Sequence, residues 1–269
     1  MYDRILVPLD GSTFSEEVVP YALGVANAMG ARLTLLRVAE KDSKVAEAEK
    51  YVQSLAVSIK AEGRVVASRG HVYADILEEV NRVPGTLVAI TSHGRGGLLV
   101  AILGSVARDL VQSSHAPVLV YRPHGRSDEQ GEPTRITTVL LPLDGSSRSE
   151  SMQSQAAQWA IALKANLVIV QVLPPNTRFD LLLAEYDVLG DSYVRSHASD
   201  VKREFGIDAD WEVLYGHPVS SISDYLQGRR DVLVVMATRE RAALQAVVLG
   251  SVTSGLLHQA GVPMVVQAP

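Results

Sequence analysis

Two stretches decide the fold: ILVPLDGS at Ile5–Ser12 and VLLPLDGS at Val139–Ser146. Each is an apolar run that stops at the same turn, and two further echoes follow in the same order. LGSVARDL at Leu103–Leu110 matches LGSVTSGL at Leu249–Leu256, and APVLVYRP at Ala116–Pro123 matches VPMVVQAP at Val262–Pro269. The offset between matched residues is 134 at Asp10/Asp144 and 146 at Gly104/Gly250, so the halves are full-length copies separated by modest insertions. A unit of that length is a domain rather than a solenoid repeat. The segment between the copies, HGRSDEQGEPTR at His124–Arg135, is polar and carries Gly and Pro, as a linker does. Domains are predicted over residues 1–124 and 135–269.

Working outward from Ile5–Ser12, strands and helices alternate. Strands are predicted at Arg4–Pro8, Arg32–Val38, Arg64–Ser68, Thr86–Ile90 and Pro117–Tyr121, with helices near Ser15–Met29, Ser43–Ala61, Ala74–Asn81 and Ser105–Ser113. The second copy gives strands near Thr138–Pro142, Leu167–Val172, Ala209–Leu214, Val232–Ala237 and Pro263–Gln267, with its insertion placed in a longer second helix, Phe179–Phe205. Strands apolar along their whole length are those buried on both faces, the mark of a parallel sheet covered by helices. The expected fold class is α/β: two tandem doubly wound, Rossmann-like domains, each a five-stranded parallel sheet flanked by helices.

Bulk properties narrow the function. A chain of 269 residues with 47% hydrophobic and 20% charged residues buries an ordinary core. The longest apolar runs, Thr86–Ile90 and Asp231–Ala237, fall far short of a bilayer span, and the N-terminal MYDRILVPLD lacks a basic region followed by a long apolar one, so neither membrane insertion nor export is expected. Zero cysteines exclude disulfides, Cys zinc sites and thiol nucleophiles and fit a reducing compartment, with the cytoplasm the expected location. A net charge of −5 argues against nucleic acid as a partner.

In an open parallel sheet ligands bind beyond the carboxyl ends of strands, where strand order reverses. Asp10 and Asp144 occupy that position. The turn Pro8-Leu9-Asp10-Gly11-Ser12 carries a carboxylate suited to a ribose or base, although Asp-Gly-Ser is equally ordinary turn and capping chemistry. The loop Thr91-Ser92-His93-Gly94-Arg95-Gly96-Gly97 brings three glycines, hydroxyls and a guanidinium ahead of the helix that opens at Gly104-Ser105-Val106. Glycines let backbone approach an anion, and a helix N-terminus adds oriented donors, with Ser105 a phosphate ligand or N-cap. The loop matches neither Walker A nor GxGxxG.

These residues resemble the universal stress proteins in their tandem-domain form. The resemblance spans nearly the whole chain, through the LVPLDGS strand end, the valines Val38 and Val172 closing the second strand of each copy, the glycine-bearing loop, LGSV and the final PVLV-type strand. ATP-binding members share a motif of Gly, two residues, Gly, nine residues, then Gly-Ser or Gly-Thr. Here the first copy reads Thr91, two residues, Gly94, nine residues, Gly104-Ser105, with one glycine replaced. Carried over residue by residue, the resemblance implies that Pro8, Asp10 and Val38 face adenosine, while Thr91, His93, Gly94, Gly104, Ser105 and Val106 surround ribose and phosphates. The second copy reads Ala237-Thr238-Arg239-Glu240-Arg241 in the loop and lacks both glycines, so weak or absent ATP binding is expected there. Asp144, Val172, Gly250, Ser251 and Val252 persist as a possible second site.

Other motifs count for less. The seven histidines show no HxH or HExxH spacing and are read as falling at no equivalent positions in the two copies, so no zinc site is expected. His93 alone falls in the suspected pocket. The charged Lys41–Lys60 stretch reads as a solvated helix face. The apolar strands Val118–Tyr121 and Met264–Gln267 would be sheet edges that invite pairing. Members of the resembled family pair through this strand, which implies an intrachain pseudo-dimer, with room for a further homodimer.

The expected function is an ATP-binding regulatory module, with ATP as the ligand and any magnesium arriving on it, and an unidentified protein partner for the association surface. No general base, no lysine for a γ-phosphate and no metal carboxylate cluster is visible, which favours binding over catalysis. The alternatives are slow ATP hydrolysis or nucleotidyl transfer at the first copy, and a scaffold without nucleotide.

Overall fold

The computed structural model of the chain describes residues 1–92, 103–113, 116–123, 132–174, 180–237, 239–241 and 246–267. In the first half the order is β1 (Arg4–Leu9), α1 (Thr13–Glu16), α2 (Val19–Met29), β2 (Arg32–Ala39), α3 (Val45–Ile59), β3 (Glu62–Ala67), α4 (Val72–Asn81), β4 (Thr86–Thr91), α5 (Ser105–Ser113) and β5 (Val118–Tyr121). The second half repeats it: β6 (Thr138–Leu143), α6 (Ser147–Glu150), α7 (Gln153–Leu163), β7 (Asn166–Leu173), α8 (Asp180–Phe205), β8 (Ala209–Tyr215), α9 (Pro218–Tyr225), β9 (Val232–Ala237), a hairpin of β10 (Arg239–Arg241) and β11 (Ala246–Val248), α10 (Ser251–Gln259) and β12 (Met264–Gln267).

Each half contributes five mutually parallel strands in doubly wound order, and the two sets form one ten-stranded sheet, β3-β2-β1-β4-β5-β12-β9-β6-β7-β8. The join is antiparallel, with Val118, Leu119 and Val120 of β5 opposite Val266, Val265 and Met264 of β12. Each terminal strand, an open edge in an isolated half, thereby finds its partner in the other half. The carboxyl ends of β1 and β4 consequently point to one end of the sheet and those of β6 and β9 to the other.

Every residue of β1 and β4 is buried, as expected of strands covered on both faces. One face packs Val25, Val52, Ala157 and Val194, from α2, α3, α7 and α8. The opposite face packs Ile76, Leu110, Ile222 and Leu256, from α4, α5, α9 and α10. Across the halves, the Tyr2 and Trp159 rings lie 5.7 Å apart, and burial pushes the Tyr2 phenol up to about 12. The end of the linker is seated on α2, where the Thr134 amide donates to the Pro20 carbonyl at 2.9 Å. A Cβ on Gly24 would lie 1.9 Å from the Thr134 carbonyl oxygen.

The first helix of each half, expected as one piece, is two. Pro20 at the start of α2 has no amide to continue a helix, yet the second half breaks at Met152 without a proline. The shared cause is the serine-capped short turn described below. The β10–β11 hairpin also departs from the expected loop; its alternating Arg239-Glu240-Arg241 pairs with the apolar Ala246–Val248. The longer helix of the second copy is α8, with 26 residues against 15 in α3.

Candidate functional site

The mouth of each candidate site is set by where a ladder stops. β1 pairs with β2 along all six residues, but with β4 only through Arg4, Ile5 and Leu6. Beyond Leu6 and Val88 the two strands part, and a crevice opens at the point where strand order reverses. The second half does the same: β6 pairs with β9 through Thr138, Val139 and Leu140 and no further.

On the β1 side of the crevice stands Asp10. Its Oδ1 accepts from the Ser12 amide at 2.9 Å and the Ser12 hydroxyl at 2.5 Å, while Ser12 Oγ accepts from the Ser15 amide at 3.2 Å and caps α1. The Ser15 hydroxyl donates to the Ser12 carbonyl at 2.8 Å and accepts from the Asp10 amide at 3.3 Å. Aspartate and serines thus fold the turn back on itself, which is why α1 is a single turn. Gly11, at φ +82°, supplies the left-handed residue the turn needs. The second half repeats the knot, with Asp144 Oδ1 accepting from Ser146 and Ser149 hydroxyls at 2.5 and 2.7 Å and from the Ser146 amide at 3.0 Å. Burial pushes the Asp144 carboxyl up, but these hydrogen bonds outweigh it and hold the group below the usual carboxylate range.

On the β4 side, Thr91 and Ser92 are buried, and the Ser92 amide donates to the Tyr121 carbonyl at 2.8 Å. The Ser92 carbonyl in turn accepts from the Gly104 amide at 2.6 Å. The residue opening α5 is therefore stitched to the end of β4, and Gly104 spends its amide on protein. The Gly104 carbonyl accepts from Arg108 at 2.9 Å, the first bond of the helix. The amides of Ser105 and Val106 fall in the first turn, where a helix has no internal acceptors for them. Ser105 is exposed, and Val106 packs against the same apolar cluster as Val38. In the second half Gly250 likewise precedes α10, its carbonyl accepting from Ser254 at 2.8 Å, while Val172 and Val252 pack against that cluster.

The structure thus brings Pro8, Asp10, Val38, Thr91, Gly104, Ser105 and Val106 to one end of the sheet, and Asp144, Val172, Gly250, Ser251 and Val252 to the other. His93 and Gly94 lie outside the described residues, as do Arg95, Gly96 and Gly97. Among the described residues no cluster of His, Cys, Asp and Glu could hold a metal ion, and no helix is long and apolar enough to cross a membrane.

Two features escaped the sequence reading. His71 and His217 do occupy equivalent positions, correcting the expectation that no histidine is duplicated. Each sits immediately before the matching helix of its half, α4 or α9, and follows a glycine at positive φ, Gly70 at +114° and Gly216 at +126°. The shared Gly-His was the available signal. Duplicated as well is a phenol–carboxylate tie at the Asp turn: the Tyr51 hydroxyl donates to Glu16 at 2.7 Å and the Tyr193 hydroxyl to Glu150 at 2.9 Å. Burial, reinforced by the accepting carboxylate, pushes both phenols up.

Comparison with known proteins matches this arrangement. A model of the universal stress protein family matches residues 1–122 and again residues 135–267. A universal stress protein of Mycobacterium tuberculosis H37Rv is 31% identical over 192 residues, covering 67% of this chain and 61% of that relative, so the chain spans less than two thirds of the length of the curated relative it matches. Among solved structures, a universal stress protein from Pseudomonas aeruginosa UCBPP-PA14 superposes with a TM-score of 0.68 at 19% identity, covering 100% of this chain and 94% of that one. One from Archaeoglobus fulgidus gives 0.61 at 18% identity, covering 100% and 99%. At those identities the superpositions speak for the fold alone.

Proposed function

Since this chain belongs to the universal stress protein family, with two copies of the family's domain in tandem, we infer that its first half is an ATP-binding regulatory module. The observation that carries this reading is the crevice beyond Leu6 and Val88, with the Asp10 turn on one wall and the first turn of α5 on the other. The donor set fits a phosphorylated nucleoside: Asp10 accepts from hydroxyl or amino groups, Val38 offers apolar surface to a base, and the amides of Ser105 and Val106 with the Ser105 hydroxyl face an anion at a helix N-terminus. Pro8, Thr91, His93, Gly94 and Gly104 complete the set, Gly104 by fixing where α5 begins. Any magnesium arrives with the nucleotide.

The second half keeps the Asp144 turn and the Gly250-Ser251-Val252 helix start, but β10 brings Arg239-Glu240-Arg241 into the loop position. A carboxylate about 4 Å from a phosphate costs on the order of 4 kcal/mol at a surface-like effective dielectric. We therefore assign nucleotide to the first half, with weak or no binding in the second. A cytoplasmic location, an unidentified protein partner and any further homodimer belong to the same reading.

The test is direct. Purified chain is denatured and the supernatant analysed by mass spectrometry for nucleotide; about one ATP per chain is expected, and the Asp10→Ala variant should lose it while Asp144→Ala keeps it. Nothing bound even in millimolar ATP would favour a scaffold without nucleotide. Steady product formation from labelled ATP, abolished in Asp10→Ala, would favour slow hydrolysis or transfer.

A further inference from the structure

Behind the Asp10 turn, on the α3 face of the sheet, a cleft of about 260 Å³ opens between Gly11, the end of β2 and the first turns of α3. It is lined by Arg37, Lys41 and Lys44 together with Glu40, Glu47 and the Tyr51 ring. We propose that this cleft is a second ligand site of the first half, and that it takes a small sugar phosphate. The proposal stands independently of the nucleotide reading, because Arg37 and Val38 are successive residues of a strand and lie on opposite faces of the sheet.

The lining divides by chemistry. Arg37 is half-buried and is oriented by donating from Nη1 to the Leu9 carbonyl at 3.3 Å, so its fork is held at the cleft wall at the end of β2. A guanidinium with two ammonium groups is the set that meets a phosphate dianion. Of the two carboxylates on the same wall, Glu47 is already paired with Lys44 at 3.2 Å, while Glu40 repels a bare anion but can accept from a ligand that also carries donors. Sugar hydroxyls are such donors, and an aromatic ring beside carboxylates suits the C–H face of a sugar. Tyr51 is held in place by its bond to Glu16. The volume lies just below the range of about 300–1,000 Å³ typical of drug-sized ligands, which suits a small metabolite.

The second half does not repeat the cation. Leu9 pairs with Arg37 in β1–β2, whereas Leu143 pairs with Gln171 in β6–β7, and Leu173 stands where Ala39 does. The cleft therefore distinguishes the first half by residues outside the glycine-bearing loop.

Calorimetric titration of the full chain with ribose 5-phosphate, inorganic phosphate and ribose tests the proposal. Saturable binding of ribose 5-phosphate is expected, tighter than either component alone and retained in saturating ATP. Arg37→Gln should weaken it about tenfold or more, the loss expected when a charge-assisted pair is removed. Lys44→Glu, which also breaks the exposed Lys44–Glu47 pair, should weaken it as well, and both variants should keep their nucleotide by mass spectrometry and the circular dichroism of the unmodified chain. No saturation at millimolar ribose 5-phosphate, or affinity unchanged in both variants, would overturn the proposal. Equal affinity for inorganic phosphate would reduce the cleft to a bare anion site, and competition by ATP would move the ligand into the nucleotide crevice. Absence of nucleotide from the unmodified chain with the cleft titrating normally would count against the ATP reading alone, whereas loss of nucleotide in the two variants would overturn the independence of the cleft.

Discussion

The Gly104 amide donates to the Ser92 carbonyl at 2.6 Å, so the start of α5 is fixed to the end of β4 whatever the intervening residues do. The contact removes one donor from any anion site at this helix and leaves the task to the amides of Ser105 and Val106. It also sets the α5 axis relative to the crevice, so the helix end is positioned before a ligand arrives.

Ser105→Asp separates stability from binding. A carboxylate at the first helical position interacts favourably with the helix dipole, by about 0.3–1 kcal/mol, and should raise the melting temperature slightly. The same charge opposes a phosphate, so ATP affinity should fall at least tenfold. Calorimetric melting and nucleotide titration of one sample check both signs.

Lys60 and Lys164 end α3 and α7 in the left-handed region, at φ +57° and +52°, a conformation that costs an ordinary side chain energy. At the corresponding helix end of the opposite half, Lys60 is matched by Gly206 at +72° and Lys164 by Gly30 at +68°. Lys60→Gly and Lys164→Gly should each stabilise the chain by about 0.5–1 kcal/mol and act additively in denaturant melts.

The buried carboxylate of Glu79 meets Arg4 at 3.0 Å, Arg64 at 2.8 Å and Arg82 at 3.3 Å, and the Arg4 side chain is itself 4% exposed. Glu79→Ala leaves the Arg4 guanidinium buried without its carboxylate and should destabilise the first half by roughly 3–5 kcal/mol. Denaturant unfolding followed by circular dichroism measures the loss.

Asp144 titrates below the usual range when folded, so its contribution to stability is present above its unfolded value of about 3.9 and is lost as pH falls through the folded value. At this exposed turn the contribution is less than about 1 kcal/mol. Asp144→Asn should flatten the dependence of melting temperature on pH below about 4, and an unchanged slope there would contradict the assignment.

Gly24→Ala should unseat the linker, because a methyl there occupies the space of the Thr134 carbonyl oxygen. Faster cleavage near residue 134 in limited proteolysis is the expected result, with a stability loss of about 1–3 kcal/mol.

The architecture was legible because PLDGS occurs twice and its strands are apolar throughout; strand ends fell within a few residues of Leu9, Ala39 and Thr91. The candidate turn residues were legible too, since a serine-rich knot around Asp10 is written in consecutive letters. What stayed hidden depends on contacts far apart in sequence. The split between α1 and α2 follows from Ser12 and Ser15 folding onto Asp10 rather than from any helix breaker common to both halves. The Gly70-His71 and Gly216-His217 pairs went unseen because Val72 and Pro218, which follow them, share no pattern. Neither did any motif signal the Arg37 cleft, whose lining comes from a turn, a strand end and a helix.

The antiparallel seam between Leu119 and Val265 has a consequence for divergence. In a dimer of identical chains every substitution is made twice, so both ligand ends must change together. Covalent fusion lifts that constraint: one end can acquire Glu240 and a hairpin, or the other Arg37 and a cleft, while the shared seam keeps one continuous sheet.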